Sequence, residues 1–552
     1  MVQEESVRGT VNLAQIRSRS YEYPRAEYID SPKGNAHFSE EEKTSESLRP
    51  NPTRMHTTGQ IKSRPKASSR ATSFVSPVAR MSMVRNFSTF SLYSNFAGER
   101  LEDNHSRRVK PVLVDSEKKS ICSEVKQDIS PYDEESLSEE GKDSSVPKAS
   151  VGKAMFMFLK AFIGSGVLFL PKAFENGGLG LSIVLIVLIS AICLLAFQRL
   201  VNTQLSLGGS YGDIGGILYG QWIRFLILFF IVISQIGFVC SYFIFISGNL
   251  VKAVDVLSNC ASVITEKHYI WFPLIILIPC SLVRHIAKLS FTMIFADVLI
   301  LFGLICVIYF TADQLRTAGV GPNIAAVNPQ NFALMIGTAT FSFEGIGLLI
   351  PIVESMKQPE KFPSVLTLGM ITVTTIYILI GTLSYLAYGD NIQASVTYNF
   401  PSDSKLTIAV ELLYSLAICL TTPLLLFPAM KIIENGIFGR LRSGKESMKI
   451  KWSKNAYRVI ISIVCAVIAY GVGGDNLDKF VSLVGSLACV PLCFIFPGMF
   501  HWRLSTKMKD KAIDGFLMLF GTGIMIYTLY VTINTFIHPQ ATGESVASYC
   551  PA

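Results

Sequence analysis

Two short stretches hold the residues best placed to do chemistry. One is Gly164-Ser165-Gly166, inside LKAFIGSGVLFLPKAF (residues 159–174). The other is Glu344-Gly345-Ile346-Gly347, inside FALMIGTATFSFEGIGLLIPIVE (residues 332–354), with Pro351 a turn later. Both sit within apolar blocks of about 20 residues, the length that crosses a bilayer as a helix. Glycine costs roughly 1 kcal/mol against alanine in a helix interior. Irregular backbone at membrane depth survives only where it is buried in protein or lines a polar cavity. The glycines therefore predict two interrupted helices. An exposed helix N-terminus offers N–H groups and a positive dipole end to a carboxylate. Exposed carbonyls at a helix C-terminus suit a cation or an ammonium. A zwitterion needs both, close together. Gly164 and Gly166 present N–H groups with no side chain in the way, and Ser165 adds a hydroxyl.

Glu344 is the strongest single candidate. A carboxylate at mid-membrane costs several kcal/mol, so it should face a cavity or a partner. That makes it a candidate proton carrier; the plainer alternative is a neutral Glu bonded to the freed backbone. Asp297, in the fifth apolar block, is a weaker candidate for proton coupling. Lys160, one turn before the first break, is expected to snorkel toward the interface. Thr421 and Thr422 are expected to bond their own helix, and Glu411 to lie at an interface.

The elements that must position these residues follow from composition. Of 552 residues, 50% are hydrophobic and 16% charged. Residues 1–150 contain no apolar run of membrane-crossing length and cannot bury enough apolar surface to fold alone, so they read as a disordered tail. One segment there, residues 80–96, repeats Phe87, Phe90, Tyr93 and Phe96 beside Arg80 and Arg85. It reads either as a docking segment or as a sticky piece of disordered chain. The tail's many serines suit kinases or other regulators.

Beyond the tail, eleven spans are expected near 153–174, 180–201, 223–250, 269–285, 289–311, 330–353, 364–388, 406–432, 457–474, 477–500 and 513–537. The net charge of +8 does not point to nucleic acid. Residues 1–141 carry 21 basic and 21 acidic residues, so the excess lies wholly in the apolar part. With the N-terminus in the cytosol, one set of connections carries 21 Lys and Arg and the other six. That asymmetry orients the chain N-terminus in, with residues 541–552 on the lumenal or outer side. Most of the eleven cysteines lie in apolar blocks without metal-ligand spacing, as small packing residues do. Cys260 and Cys550 would share the non-cytosolic side, where a disulfide could form.

The two interrupted spans lie five apart. A five-span repeat inverts its second copy, so residues 153–311 and 330–500 read as inverted halves with a shared central site, followed by an eleventh helix at 513–537. The chain is thus expected to be an all-α polytopic membrane protein with its membrane domain at 151–540.

LKAFIGSGVLFLPKAFENGGLG and FSFEGIGLLIPIVESMKQPEKFP closely resemble the amino acid/auxin permease family, most of all its fungal vacuolar exporters and lysosomal proton-coupled members. The resemblance covers residues 150–537. It implies a LeuT-like bundle of inverted five-helix repeats holding substrate between spans one and six. By position it points to Ile163, Gly164, Ser165 and Gly166, and to Phe341, Ser342, Phe343, Glu344 and Gly345. It implies movement of amino acids from vacuole to cytosol, with the proton as coupling ion and no cofactor. The runner-up reading is an amino-acid sensor on the same scaffold, signalling through the tail. No metal cluster, nucleophile–base pair or phosphate loop in the sequence supports an enzyme.

Overall fold

A chain that crosses a bilayer repeatedly must deliver its connections to two faces in turn, and the bonds between connections record that alternation. The computed structural model describes residues 149–538 except 165, 260, 262–263, 283–289, 402–403 and 439–447. The expected disordered tail, the aromatic segment 80–96, Cys260, Cys550 and the C-terminal segment 541–552 lie outside the described residues. All described residues fall in one compact unit.

The helices are α1 (Val151–Phe162), α2 (Gly166–Gly177), α3 (Leu179–Leu207), α4 (Tyr211–Tyr219), α5 (Gln221–Leu257), α6 (Glu266–Tyr269), α7 (Pro273–Leu282) and α8 (Ser290–Ala318). They continue as α9 (Phe332–Ser342), α10 (Ile346–Ser355), α11 (Phe362–Tyr388), α12 (Lys405–Phe438), α13 (Met448–Val472), α14 (Leu477–Val484), α15 (Phe496–Leu504) and α16 (Met508–Ile537). Two π-helical turns, Gly485–Cys489 and Pro491–Ile495, join α14 to α15. Among the described residues, nine segments are long and apolar enough to cross a membrane, and α1 with α2 forms a tenth, bent span. Helix α7 is the described part of the expected fourth span. The architecture is all-α; one isolated parallel bridge, Ala149 with Met356, is the only β pairing among the described residues.

On the near face, where the chain arrives, Ala149 N donates to Ser355 O (2.7 Å) and Lys357 N to Ala149 O (3.0 Å). Arg199 reaches Asp510 (3.0 Å), Tyr219 Oη donates to Met499 O (2.6 Å), and Arg458 reaches Ser281 O (3.0 Å) and Glu434 (2.8 Å). On the far face, Leu179 N donates to Ala325 O (2.8 Å), and Gly321 N to Leu386 O (2.8 Å). Lys252 Nζ donates to Phe400 O (2.7 Å). Successive connections thus fall on alternate faces, and after α16 the chain is on the far face.

Helices α9 and α10 form the enclosed centre: 94% of their most apolar stretch is buried, against 22% for α16 at the periphery. Close approach at the centre needs glycine. A Cβ on Gly485, in the first π turn, would lie 2.0 Å from Gly337 O of α9. Glu411 lies in the second turn of α12, near its far-face end. It is buried and paired with buried Lys252 at 3.2 Å, because Lys252 is held inward by the carbonyls of Tyr398 and Phe400.

On the far face Glu266 of α6 packs against the hairpin at Gly474, where its Oε1 is buried without a hydrogen-bond partner among the described residues. Burial, with the negative charge of Asp475 adding and Lys267 opposing, pushes its carboxyl up to about 7. A carboxyl raised in the folded state contributes stability that is full below its ordinary value and is lost as pH rises through the folded value. Thermal unfolding in detergent should therefore shift down by a few degrees between pH 4.5 and 7.5 in the wild type. Glu266→Gln should flatten that slope; an unchanged slope would exclude Glu266 as its source.

Candidate functional site

The site forms where two helices stop short and face each other. Helix α1 ends at Phe162 and α2 begins at Gly166, their axes bent by 54°. Helix α9 ends at Ser342 and α10 begins at Ile346, so the interruption is Phe343-Glu344-Gly345. Gly347 and Pro351, read from sequence as part of that break, lie inside α10. Proline has no N–H, so it gives no helical bond to the carbonyl of Gly347, four residues back.

The freed ends satisfy one another. Ser342 Oγ lies 3.2 Å from Gly166 O and 2.9 Å from Thr338 O, donating to one at a time. A Cβ on Gly166 would lie 3.2 Å from both Ser342 Cα and Oγ, a tight contact that any larger residue would have to relieve by shifting Ser342. Tyr377 of α11 stands between the breaks, fully buried, its hydroxyl 2.7 Å from Phe162 O and 2.8 Å from Ser342 O. One hydroxyl thus serves the C-terminal ends of both α1 and α9.

Between the breaks is a cavity of about 80 Å³. At a water's share of about 30 Å³ of liquid volume, that is room for roughly two or three waters. Gly164, Gly166, Phe341, Ser342, Glu344 and Gly345 line it. Glu344 supplies its charge, and the lining contains no Lys, Arg or His. Ile163 lines a larger adjoining cavity of about 350 Å³ toward the near face, which shares Gly164 and Tyr242 with the first. Ser165 lies outside the described residues. Phe343 is not in the lining: it is buried against Tyr377, ring centroids 5.0 Å apart, because the turn after α9 directs it to α11.

Asp297, a sequence candidate for proton coupling, is not in the Glu344 cavity. It lines the larger one and forms an ion pair with Lys160. Lys160 therefore pairs rather than only snorkels, since α8 presents a carboxylate beside its ammonium. Thr421 and Thr422 both donate to Ile418 O, as expected from their place in a helix.

Sequence reasoning missed the facing wall. Gln235, Phe238 and Tyr242, at helical spacing on α5, line the small cavity, as does Leu425 of α12. A Gln in an apolar block was the available signal. It also missed the seal on the far side. Phe341 meets Phe238 edge-on (4.5 Å) and Phe169 (6.1 Å); Phe169 meets Phe245 (6.3 Å), whose ring stacks on Tyr398 (6.2 Å) of the far-face connection.

A family model described as transmembrane amino acid transporter protein matches residues 147–534. Vacuolar amino acid transporter 3 of Schizosaccharomyces pombe is 40% identical over 460 residues, 81% of this chain and 68% of that protein. Vacuolar amino acid transporter 4 of Saccharomyces cerevisiae is 41% identical over 490 residues, 82% of this chain and 66% of that protein. The match spans about two thirds of each relative's length. Among solved structures, the inward-facing conformation of Mhp1 aligns with 71% of this chain and 92% of that one, at 12% identity and a TM-score of 0.49.

Removing the Tyr377 hydroxyl leaves a buried carbonyl without a donor, a loss of about 1–3 kcal/mol. Tyr377→Phe should lower the unfolding temperature in detergent; wild-type stability would show that the two helix ends are satisfied another way. For the Lys160–Asp297 pair, Lys160→Met and Asp297→Asn should each destabilise, and the double variant should be less unstable than their sum, because each single change strands a charge. Simple additivity in a thermal double-mutant cycle would contradict the coupling.

Proposed function

The chain belongs to the transmembrane amino acid transporter family, and on that premise we propose that it carries amino acids out of a vacuole-like lumen into the cytosol, coupled to protons. The observation that carries this reading is the chamber between two broken helices, with Glu344 as its acidic group. Helices α2 and α10 begin, and α1 and α9 end, at or beside residues that line the chamber; helix N-termini suit a carboxylate and helix C-termini an ammonium. The names of the yeast relatives support the substrate class and the vacuolar membrane.

The near face, with the larger share of Lys and Arg, is the cytosolic face in this reading. The chamber continues toward it through the 350 Å³ cavity and is closed toward the lumen by the aromatic stack. That arrangement is a cytosol-directed state of an alternating-access cycle. The lumen-directed state requires the Phe169–Phe341–Phe238 contacts to part and the Lys160 side to close.

Proton coupling rests on Glu344 in this reading. An ionised carboxylate in a chamber whose lining has no cationic side chain needs a proton or a substrate ammonium beside it. Exchange of one for the other at the Glu344 carboxyl would tie proton movement to substrate movement. Ile163, Gly164, Ser165, Gly166, Phe341, Ser342 and Gly345 are the proposed substrate-facing positions alongside it, and the amino acid is the partner they serve.

Purified protein in lipid vesicles should drive amino-acid accumulation when a pH gradient is imposed. Glu344→Gln, if monodisperse, should lose the gradient-driven part by at least tenfold. Undiminished accumulation would leave the transporter and reduce Glu344 to a structural role. Binding without flux in the wild type would favour the sensor.

A further inference from the structure

We propose that Lys160 and Asp297 form a second substrate site on the near side of the chamber, where a departing amino acid sets its carboxylate on Lys160 and its ammonium on Asp297. The inference rests on the transporter reading and adds a station to its exit path.

The site is the cavity of about 350 Å³ bordered by α1, α8, α10 and α12, beside the 80 Å³ chamber. The two share Gly164, Tyr242 and Leu425 in their linings, and the larger one holds most of the free volume beside the breaks. Lys160 and Asp297 are the charged groups of its lining, which is otherwise mostly aliphatic and aromatic. They stand on facing helices, α1 and α8, and pair with each other.

The way this pair is held sets it apart from the structural pairs of the same molecule. Lys252 meets Glu411 at 3.2 Å and also donates to Tyr398 O (3.0 Å) and Phe400 O (2.7 Å), with the two side chains 8% and 1% exposed. Arg458 meets Glu434 at 2.8 Å and also donates to Ser281 O at 3.0 Å, again buried. Both pairs are filled by backbone and closed. Lys160 and Asp297 have no partner beyond each other among the described residues, and their side chains are 20% and 25% exposed. An ammonium carries three N–H donors and a carboxylate about four acceptor positions. Most of that capacity is unused here, beside a cavity that both groups line.

A zwitterion carries the complementary charges. Crossing an apolar passage with both of them unpaired is costly. Exchange with the ion pair avoids that cost. The substrate's ammonium passes from Glu344 to Asp297 and its carboxylate meets Lys160, so two ion pairs stand where one stood and no charge is stranded. When the substrate leaves, Lys160 and Asp297 pair again. A pair with only a packing role has no need of spare donors and acceptors beside the cavity.

The test is sided transport in vesicles, comparing wild type with the double variant Lys160→Met/Asp297→Asn, which strands neither charge. Two constants are read for the same amino acid: the far-side KM for flux toward the near side, and the near-side Ki with which it inhibits that flux. The ratio of near-side Ki to far-side KM should rise at least fivefold in the double variant. A pair that only held the near side shut would act in the other direction, because neutralising it would favour the near-open state and tighten near-side inhibition. A smaller rise, no change or a fall overturns the proposal and leaves the transporter reading standing. If the double variant does not fold, Thr421→Cys places a thiol in the lining of the same cavity with both charges intact. Near-side amino acid at its half-inhibiting concentration should slow that thiol's reaction with an impermeant maleimide at least twofold, measured above the wild-type background; a smaller effect overturns the proposal. No wild-type flux of any amino acid overturns the transporter reading, and this assignment with it.

Discussion

Everything in this molecule is arranged around backbone groups that a lipid bilayer cannot hydrate. An intact helix satisfies its own N–H and carbonyl groups, whereas a helix broken at mid-membrane exposes several at once. Here the two breaks are set face to face so that each partly answers the other. The Ser342 hydroxyl reaches both Gly166 O and its own helix, and the Tyr377 hydroxyl bridges the ends of α1 and α9. The groups left over line a small cavity. Polarity at the centre is thus what remains after the structural demands have been met.

The same constraint explains where charge is tolerated. Most other buried ion pairs lie near helix ends, where one partner also reaches a connection. Lys252 and Glu411 are anchored to carbonyls after α11. Arg458 holds Glu434 and the end of α7 together, and Lys454 adds to the same carboxylate at 3.1 Å. Arg199 draws Asp510 and Asp514 of α16 to α3, with His501 bonded to Asp514 at 2.7 Å. These clusters tie connections into two faces and leave the middle of the bundle to glycine, aromatic rings and Glu344.

The broken spans were legible because glycine weakens a helix and belongs inside an apolar block chiefly where the backbone opens or another helix comes close. Their separation by five spans carried the rest of the topology with it. Glu344 was legible for a similar reason, as an acid where acids are expensive. Gln235 was not, since an amide in an apolar helix commonly satisfies itself locally. Phe343 was misplaced because neighbours in sequence at a break point in different directions, a matter of backbone turn that composition does not encode. The Glu411 and Asp297 pairings needed knowledge of which helices touch. Each is a long-range contact, with partners 159 and 137 residues away in the chain.

The two ends of the central cavity are bordered by different kinds of interaction. Toward the far face the contacts are aromatic edges and faces, short-ranged and indifferent to salt, which lose their attraction steeply once the rings separate. Toward the near face the ion pair of Lys160 and Asp297 borders an open apolar cavity, and its attraction declines slowly with distance. An aromatic seal is therefore suited to being fully made or fully broken. A charge pair between α1 and α8 can guide the half-helix through intermediate positions without releasing it. Ala149, just before α1, is bonded to Ser355 O and Lys357 N at the end of α10, so the near ends of α1 and α10 are tied by two backbone hydrogen bonds.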